Sequence, residues 1–469
     1  MRCLEPIFYI AAMFAIVHNL PELLRMLWYW ARVLIRNGDS RSLIGPLGAE
    51  LKGEAHLRTY TYLCTFLVGS LLALPAAGQS SVAAEQLGAS VALPAAQGQE
   101  TSTTPSEVPA AAPAAPQGGS APPTWSVGPI NFSGAVDAYY SYNANHPGNM
   151  TSGLYNFDDK TNQFNLSLVK LAMSHDPDPV GFRVDLGYGR TMELVNCCDP
   201  DGGFNKYVEQ AYVSWKPKGA KGFQADFGKW VTSAGAEVIE SYLNWNYSRS
   251  LAFVLALPYY HFGLRTSMPM GAHFTGGFQV INGWNNLTDN NSGKTVGFTG
   301  AFTSSKANLN INYYYGPENT GTNVGKTSLI DTILTLTPSS KVSAYINYDY
   351  GQSRNQTGAL TSQSSTNPFA AWQAFAASFH FQPTSKWSFT PRGEWFQDRQ
   401  GARTGFGSRA IVDEVTFTGE YKLAEGLLWR AEYRHDWSEQ ALFQRGLFGS
   451  NTKQDTFTVG FVAFFGPNR

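Results

Sequence analysis

From residue 130 to the C-terminus the chain writes one pattern about sixteen times: a stretch of roughly ten residues with alternating apolar and polar side chains, then a break. Successive side chains in a strand point to opposite faces. In the stretch from Asn131 to Tyr142, one face holds Phe132, Gly134, Val136, Ala138, Tyr140 and Tyr142, and the other holds Asn131, Ser133, Asp137 and Ser141. After Pro179, Val180, Phe182, Val184, Leu186 and Tyr188 oppose Gly181, Arg183, Asp185 and Gly187. Near the end, Leu427, Trp429, Ala431 and Tyr433 oppose Arg430, Glu432, Arg434 and Asp436, and the last stretch aligns Phe457, Val459, Phe461, Ala463 and Phe465. A soluble sandwich alternates in the same way, with its apolar face against a second sheet. A barrel in lipid turns the apolar face outward and the polar face to the lumen.

The connections separate the two cases. Long breaks fall at Asn143 to Asn162, around Cys197–Gly203, at Val231 to about Tyr259, and at Gly283 to Gly293, Gly316 to Gly325, Gly351 to Phe369, Gln397 to Arg409 and Trp437 to Gln454. Between them lie short ones: His175 to Pro179, Lys216 to Gly219, Met268 to Gly271, Ser304 to Lys306, Pro338 to Ser340, Gln382 to Ser385 and Leu423 to Gly426. Strict long–short alternation suits an up-and-down barrel with short periplasmic turns and long outer loops. The expected fold is all-β: a transmembrane antiparallel up-and-down barrel of about sixteen strands, give or take one hairpin, spanning 129–469. Two irregularities are expected within it. The apolar face switches between Phe164 and Met173, which calls for a bulge, and Pro391, which cannot donate to a ladder, predicts another in the strand from Trp387 to Trp395. The apolar run Leu251 to Leu257 is either a wall-packed part of the longest loop or the start of the next strand.

Composition agrees. Charged residues are 15% and aromatic residues 14% of the chain, sparse and abundant respectively for a soluble protein. Tyr and Trp favour membrane–water interfaces, and Tyr139-Tyr140, Trp215, Trp245, Tyr259-Tyr260, Tyr313-Tyr314-Tyr315, Tyr348, Trp387, Trp395 and Trp429 fall near expected strand ends. A formal net charge of −1 argues against nucleic acid as a partner.

The N-terminal part is organised differently. Arg58, the apolar run Tyr62 to Leu74 and Pro75-Ala76-Ala77-Gly78 read as a secretory signal over 51–78, cut near Gly78. Upstream, 1–50 holds the apolar stretches Ile7 to His18 and Leu24 to Ile35. These are either a membrane or amphipathic helix pair or the product of a start assigned too far upstream; the second is preferred. Residues 79–128, rich in Ala, Pro, Ser and Gly, read as a disordered linker. Cys197 and Cys198 sit side by side in an outer loop, either oxidised together or free, with no metal-ligand spacing.

No enzyme motif is expected to operate. Val231-Thr232-Ser233-Ala234-Gly235 lacks the first glycine of a nucleophile elbow, no His-Glu-x-x-His occurs, and Gly325-Lys326-Thr327 follows Thr320 where a phosphate-binding loop needs glycine. His261, His380 and His435 are the conceivable members of a rim hydrolase site, each better read as an ordinary wall or loop residue. No catalytic residue, metal or cofactor is assigned.

A sixteen-stranded barrel encloses a channel wider than most solutes, so something must narrow it. The third outer loop is long enough to fold inward. Its Glu237, Glu240, Asn246, Tyr247 and Arg249 are the expected constriction, and Ser233, Ala234, Gly235 and Ala236 let it lie close to the wall. Facing it, Arg183, Arg265, Arg392, Arg430 and Arg434 supply a basic wall and Asp185, Asp226, Glu394, Glu420 and Glu432 an acidic one, although many such charges simply pair across strands.

Glu209-Gln210-Ala211-Tyr212-Val213, Gly228-Lys229-Trp230, Asn246-Tyr247-Ser248-Arg249-Ser250 and Pro258 with His261-Phe262-Gly263-Leu264-Arg265 resemble the OmpL-like β-barrel porin family of diderm bacteria, over roughly 130–469. The resemblance implies a bacterial outer-membrane pore for small hydrophilic solutes, without cofactor. Thr458-x-Gly460-x-x-Ala463-x-Phe465 resembles the signal read by the barrel-assembly machinery, but departs from it by running on through Gly466-Pro467-Asn468-Arg469. The function expected is passive diffusion of small polar solutes, with outer-membrane lipid around the wall. Alternatives are a substrate-specific uptake channel and a structural or adhesion barrel with a filled lumen. A homotrimer is compatible with the size but not required by anything in the sequence.

Overall fold

A computed structural model describes residues 125–197, 203–354 and 369–466. The expected leader at 51–78, the segment before it and almost all of the expected linker lie outside the described residues. The linker's last residues do not: Trp125–Val127 form a short strand, β1, antiparallel to the start of the wall.

The wall is built from β2 (Ile130–Asn143), β3 (Gln163–His175), β4 (Val180–Tyr188), β5 (Val208–Trp215), β6 (Gln224–Val231), β7 (Tyr260–Pro269), β8 (Phe274–Ile281) and β9 (Thr295–Thr303). It continues through β10 (Ala307–Gly316), β11 (Thr327–Ser339), β12 (Val342–Arg354), β13 (Phe369–Phe381), β14 (Trp387–Asp398), β15 (Ala410–Ala424) and β16 (Leu427–Ser438). A small hairpin, β17 (Phe443–Arg445) with β18 (Gly449–Asn451), decorates the last outer loop before β19 (Lys453–Phe465). Each wall strand pairs antiparallel with its sequence neighbour, and β19 pairs with β2 from Thr456↔Asn143 to Phe465↔Gly134. The sheet therefore closes into a sixteen-stranded barrel with no free edge.

The connections alternate as the sequence implies. Short ones (176–179, 216–223, 270–273, 304–306, 340–341, 382–386, 425–426) share one end with both termini of the wall. Long ones (144–162, 189–207, 232–259, 282–294, 317–326, 355–368, 399–409, 439–452) share the other, 355–368 lying outside the described residues. Among the described residues no helix is long and apolar enough to cross a membrane; the strands do the crossing. Phe457, Phe461, Leu171 and Phe298 are exposed on the outer face while Asp137, Lys170, Arg392 and Arg434 are buried on the inner one, the apolar-out arrangement of a barrel in lipid.

The bulge between Phe164 and Met173 is present. The β2–β3 register steps from Asp137↔Leu168 to Ala138↔Leu166, leaving Ser167 extra, and this re-aims Lys170 inward. The bulge expected at Pro391 is not. Pro391 pairs Phe417 without a shift on the β15 side, and the β13 register is the same before and after it (Ser378↔Arg392, Phe381↔Phe389). The proline interrupts the β13 ladder without inserting a residue, and side chains fill the interruption: Ser378 Oγ donates to Pro391 O at 3.3 Å and His380 Nδ1 lies 2.9 Å from Thr390 Oγ1.

The aromatic girdle is likewise smaller than expected. Trp215, Tyr313, Tyr315 and Trp387 are exposed on the outer face, but Tyr139, Tyr260 and Tyr314 are buried, and Trp245 stacks between Tyr345 (5.3 Å) and His380 (5.2 Å). Period-two alternation within Tyr-rich runs sends every second ring inward, where Tyr139, Tyr260 and Tyr314 pack against residues of the inturned loop 232–259.

Candidate functional site

What fills the lumen is the loop 232–259. It leaves β6, folds inward and returns to β7 through the buried run Leu251 to Leu257, which forms a single π-helical turn, Ala252–Ala256. The run thus belongs to the loop and not to the next strand. A loop inside a barrel must find partners for its backbone polar groups, and here the wall supplies many of them. At the loop's start, Ser233 Oγ donates to Asn312 Oδ1 (3.0 Å), Asn312 Nδ2 donates to Ser233 O (3.0 Å), and Ala236 N donates to Asn347 Oδ1 (3.0 Å). The small residues expected to let the loop approach the wall do so: Ala234 and Ala236 are buried against it.

The far side of the loop is held by charge. Arg430 donates to Ser241 O (2.5 Å) and Asn244 O (2.7 Å), Arg434 to Arg249 O (2.8 Å), and Arg392 to Ser248 O (2.7 Å). Glu432 accepts from the backbone N–H of Tyr247 (2.6 Å) and Ser248 (2.9 Å), and Glu394 from that of Ala252 (3.1 Å). Such charge-assisted bonds are the stronger kind. Wall glycines leave room for the packing: a Cβ at Gly460 would run into the Tyr247 ring and one at Gly351 into Trp372.

The expected constriction residues are all brought into the barrel, and each is buried. Glu237 pairs with Arg392 (2.7 Å) and accepts from Tyr345 OH (3.1 Å). Asn246 Nδ2 donates to Thr418 Oγ1 (2.7 Å) and to Thr390 O (3.2 Å), beside Pro391. The Tyr247 hydroxyl donates to Asp137 Oδ1 (2.7 Å), whose other oxygen accepts from Ser241 Oγ (2.7 Å). Arg249 donates within the loop to Tyr247 O (2.5 Å) and to Ile239 O, with its guanidinium 5.2 Å from the Phe157 ring.

Two charge clusters dominate the inner face. Lys170 is ringed by Asp185 (2.9 Å), Glu209 (2.5 Å) and Glu240, and Arg183 shares Asp185 (2.7 Å). Arg392 is ringed by Glu237 (2.7 Å), Glu394 (3.0 Å) and Glu414 (3.0 Å). Simple pairs join Arg265 to Asp226 (2.7 Å), Arg430 to Glu420 (2.6 Å) and Arg434 to Asp436 (2.7 Å). Of these cations Arg265 keeps the most open side chain, 25% exposed, with the Tyr212 and Trp230 rings 5.0 and 5.2 Å away. Asp185, Glu209 and Glu240 are close enough together to hold a metal ion, but the Lys170 ammonium already sits among them.

Several participants escaped sequence reasoning. Lys170 becomes lumenal only through the Ser167 bulge. Glu209 and Gln210 both turn inward because the β4–β5 register slips from Asp185↔Gln210 to Leu186↔Val208, a step with no marker in the sequence. Asp331 and Asp349 face each other across β11 and β12. Asp331 accepts from Asn312 (2.7 Å) and Asn347 (2.9 Å), while Asp349 Oδ2 has no hydrogen-bond partner.

Towards the outer end the loop is roofed by apolar clusters. One joins Leu255, Trp372 and Phe396 under Phe443; the other joins Trp230, Ile239, Phe253 and Tyr314 to Phe157. Outer loops 282–294 and 317–326 are tied by Glu318, which accepts from Trp284 N (2.9 Å) and Thr295 Oγ1 (2.6 Å). Burial pushes the Glu318 carboxyl up to about 7. Cys197 is disulfide-bonded; Cys198 lies outside the described residues.

Residues 129–465 match the family described as "Putative beta-barrel porin-2, OmpL-like". The chain belongs to this porin family. No curated protein is significantly similar to it in sequence. Solved structures resemble it in fold. Salmonella typhi OmpF, in complex with daunomycin, is 14% identical with a TM-score of 0.50, over 72% of this chain and 97% of that one. Vibrio cholerae OmpT is 11% identical with a TM-score of 0.48, over 73% and 100%. The anion-selective porin from Comamonas acidovorans is 9% identical with a TM-score of 0.47, over 72% and 99%. At such identities the likeness speaks for the fold alone. Family and fold together make this OmpL-like porin a channel of the bacterial outer membrane.

Proposed function

We propose that this porin passes ions and small hydrophilic solutes passively along a narrow path beside the inturned loop 232–259, with Glu237, Glu240, Asn246, Tyr247 and Arg249 setting the constriction. The observation that carries the reading is the charge-assisted fastening of that loop to the wall, which supports a fixed partition of the lumen. Pore-lining roles go to Arg183, Asp185, Asp226, Arg265 and Glu420. Arg392, Glu394, Arg430, Glu432 and Arg434 act mainly by holding the loop. The reading includes no catalytic step: His261 is packed between Thr232 Oγ1 and Gly283 O, His380 against Trp245, and His435 on Asp455. It implies lipid around the wall, the barrel-assembly machinery at β19, a leader and linker before the wall, and a homotrimer measurable by mass in detergent. Liposome swelling with polyols and sugars of rising size tests it; a graded size cut-off supports passive diffusion. The apolar clusters in the lumen favour a second reading, a solute-specific channel, which saturable and competed flux would support.

A further inference from the structure

The inner face carries more negative than positive charge, and the excess is built in. Three carboxylates share Lys170 and Arg183, and three more ring the Arg392 guanidinium. Asp331 and Asp349 add two carboxylates in register, fully buried, with the amides of Asn312 and Asn347 as hydrogen-bond donors and, among the described residues, no cation paired to either. The remaining pairs, Arg265–Asp226, Arg430–Glu420 and Arg434–Asp436, are balanced one to one, and the buried cations Lys229 and Arg249 are matched in number by the buried acids Asp137 and Glu432. Charges in a low-dielectric wall project their field into the water beside them, and carboxylate-lined pores favour cations.

We infer that this porin is cation-selective, the excess carboxylates of β4–β5, β11–β12, β14–β15 and loop 232–259 giving its lumen a standing negative potential. The inference rests on the channel reading above and specifies which solutes that channel prefers: small cations and cationic polar molecules over anions of the same size.

The test is the reversal potential of the full-length protein in a planar bilayer under a potassium chloride gradient at neutral pH. The expected result is a reversal potential displaced toward the potassium equilibrium value. The double variant D331N/D349N removes charge without orphaning an arginine. One unit charge about 10 Å from the path, screened nearly as in water, changes an ion's local concentration about twofold, so the potassium-to-chloride permeability ratio should fall by about twofold or more. R265Q removes the most open of the paired cations and should raise that ratio. A reversal potential at zero or displaced toward chloride, in channels that conduct, overturns the inference and leaves the pore reading standing. Folded barrels that pass no current overturn both.

Discussion

Replacing Arg392 with methionine should loosen the partition. Arg392 is fully buried. It pairs with Glu237, Glu394 and Glu414 and also donates to Ser248 O and Ser248 Oγ. Methionine fills most of the volume but leaves three carboxylates without a cation. Breaking a buried ion pair by removing one partner costs about 3–5 kcal/mol. Part of that is recovered if Glu237 and the loop around it leave the wall for water, so the strain falls on loop docking before it falls on the barrel. The remaining anchors at Arg430, Arg434 and Glu432, each worth roughly 1.5–3 kcal/mol as a charged hydrogen bond, hold the loop in part. The expected outcome is a barrel that still resists unfolding in detergent until boiled, a larger and noisier single-channel conductance, and faster cleavage of loop 232–259 by added protease. Adding E237Q removes one of the orphaned charges and should return the conductance part of the way to its original value. Unchanged conductance and unchanged protease protection in R392M would refute the reasoning that this arginine fastens the loop.

Three further outcomes follow from single side chains. Y247F deletes the bond to Asp137 (2.7 Å); a hydrogen bond to a charged group is worth roughly 1.5–3 kcal/mol, so current noise should rise with little change in the stability of the barrel. Glu318 titrates at about 7 in the folded protein against an ordinary carboxyl near 4.5; stability from this raised acid is present below the ordinary value and is lost as pH rises through about 7, by roughly 2–4 kcal/mol. Protection factors in loops 282–294 and 317–326, taken relative to the intrinsic exchange rate at each pH, should therefore fall between pH 5 and 8, and E318Q should flatten that dependence. L171R puts a cation on the lipid-facing side of β3, where Leu171 is exposed, and should cost about 2–4 kcal/mol if it lies at mid-membrane, read as a lower urea midpoint for folding into lipid vesicles.

The barrel was legible because its two periodicities are properties of the chain alone. Side-chain alternation of two and loop-length alternation of two both survive without knowledge of any contact, and the Ser167 bulge announced itself where Leu166 and Leu168 handed over to Val169 and Leu171. The inward path of loop 232–259 was legible from its length and its small residues. What its charges do there was not. On the inner face, Arg265 and Arg392 carry the same signal, a cation at an alternate position of a strand. Only the route of the loop decides that one keeps an open side chain while the other is buried among three carboxylates. Glu209 was hidden for a different reason: a one-residue slip between β4 and β5 turns two neighbouring residues inward, and nothing in Val208-Glu209-Gln210 marks it. Pro391 shows the reverse. Proline strongly predicts a broken ladder, yet its missing donor is tolerated because Ser378, His380 and Asn246 supply side-chain bonds around the gap.

The most direct test of the central claim, a closed outer-membrane barrel whose inturned loop leaves a narrow conducting path, is single-channel recording of the purified, detergent-folded protein in a planar bilayer. Discrete, long-lived current steps are predicted, enlarging when the loop is shortened between Glu237 and Ser250. A flat baseline from barrels shown to be folded and inserted, before and after the loop is shortened, would contradict it.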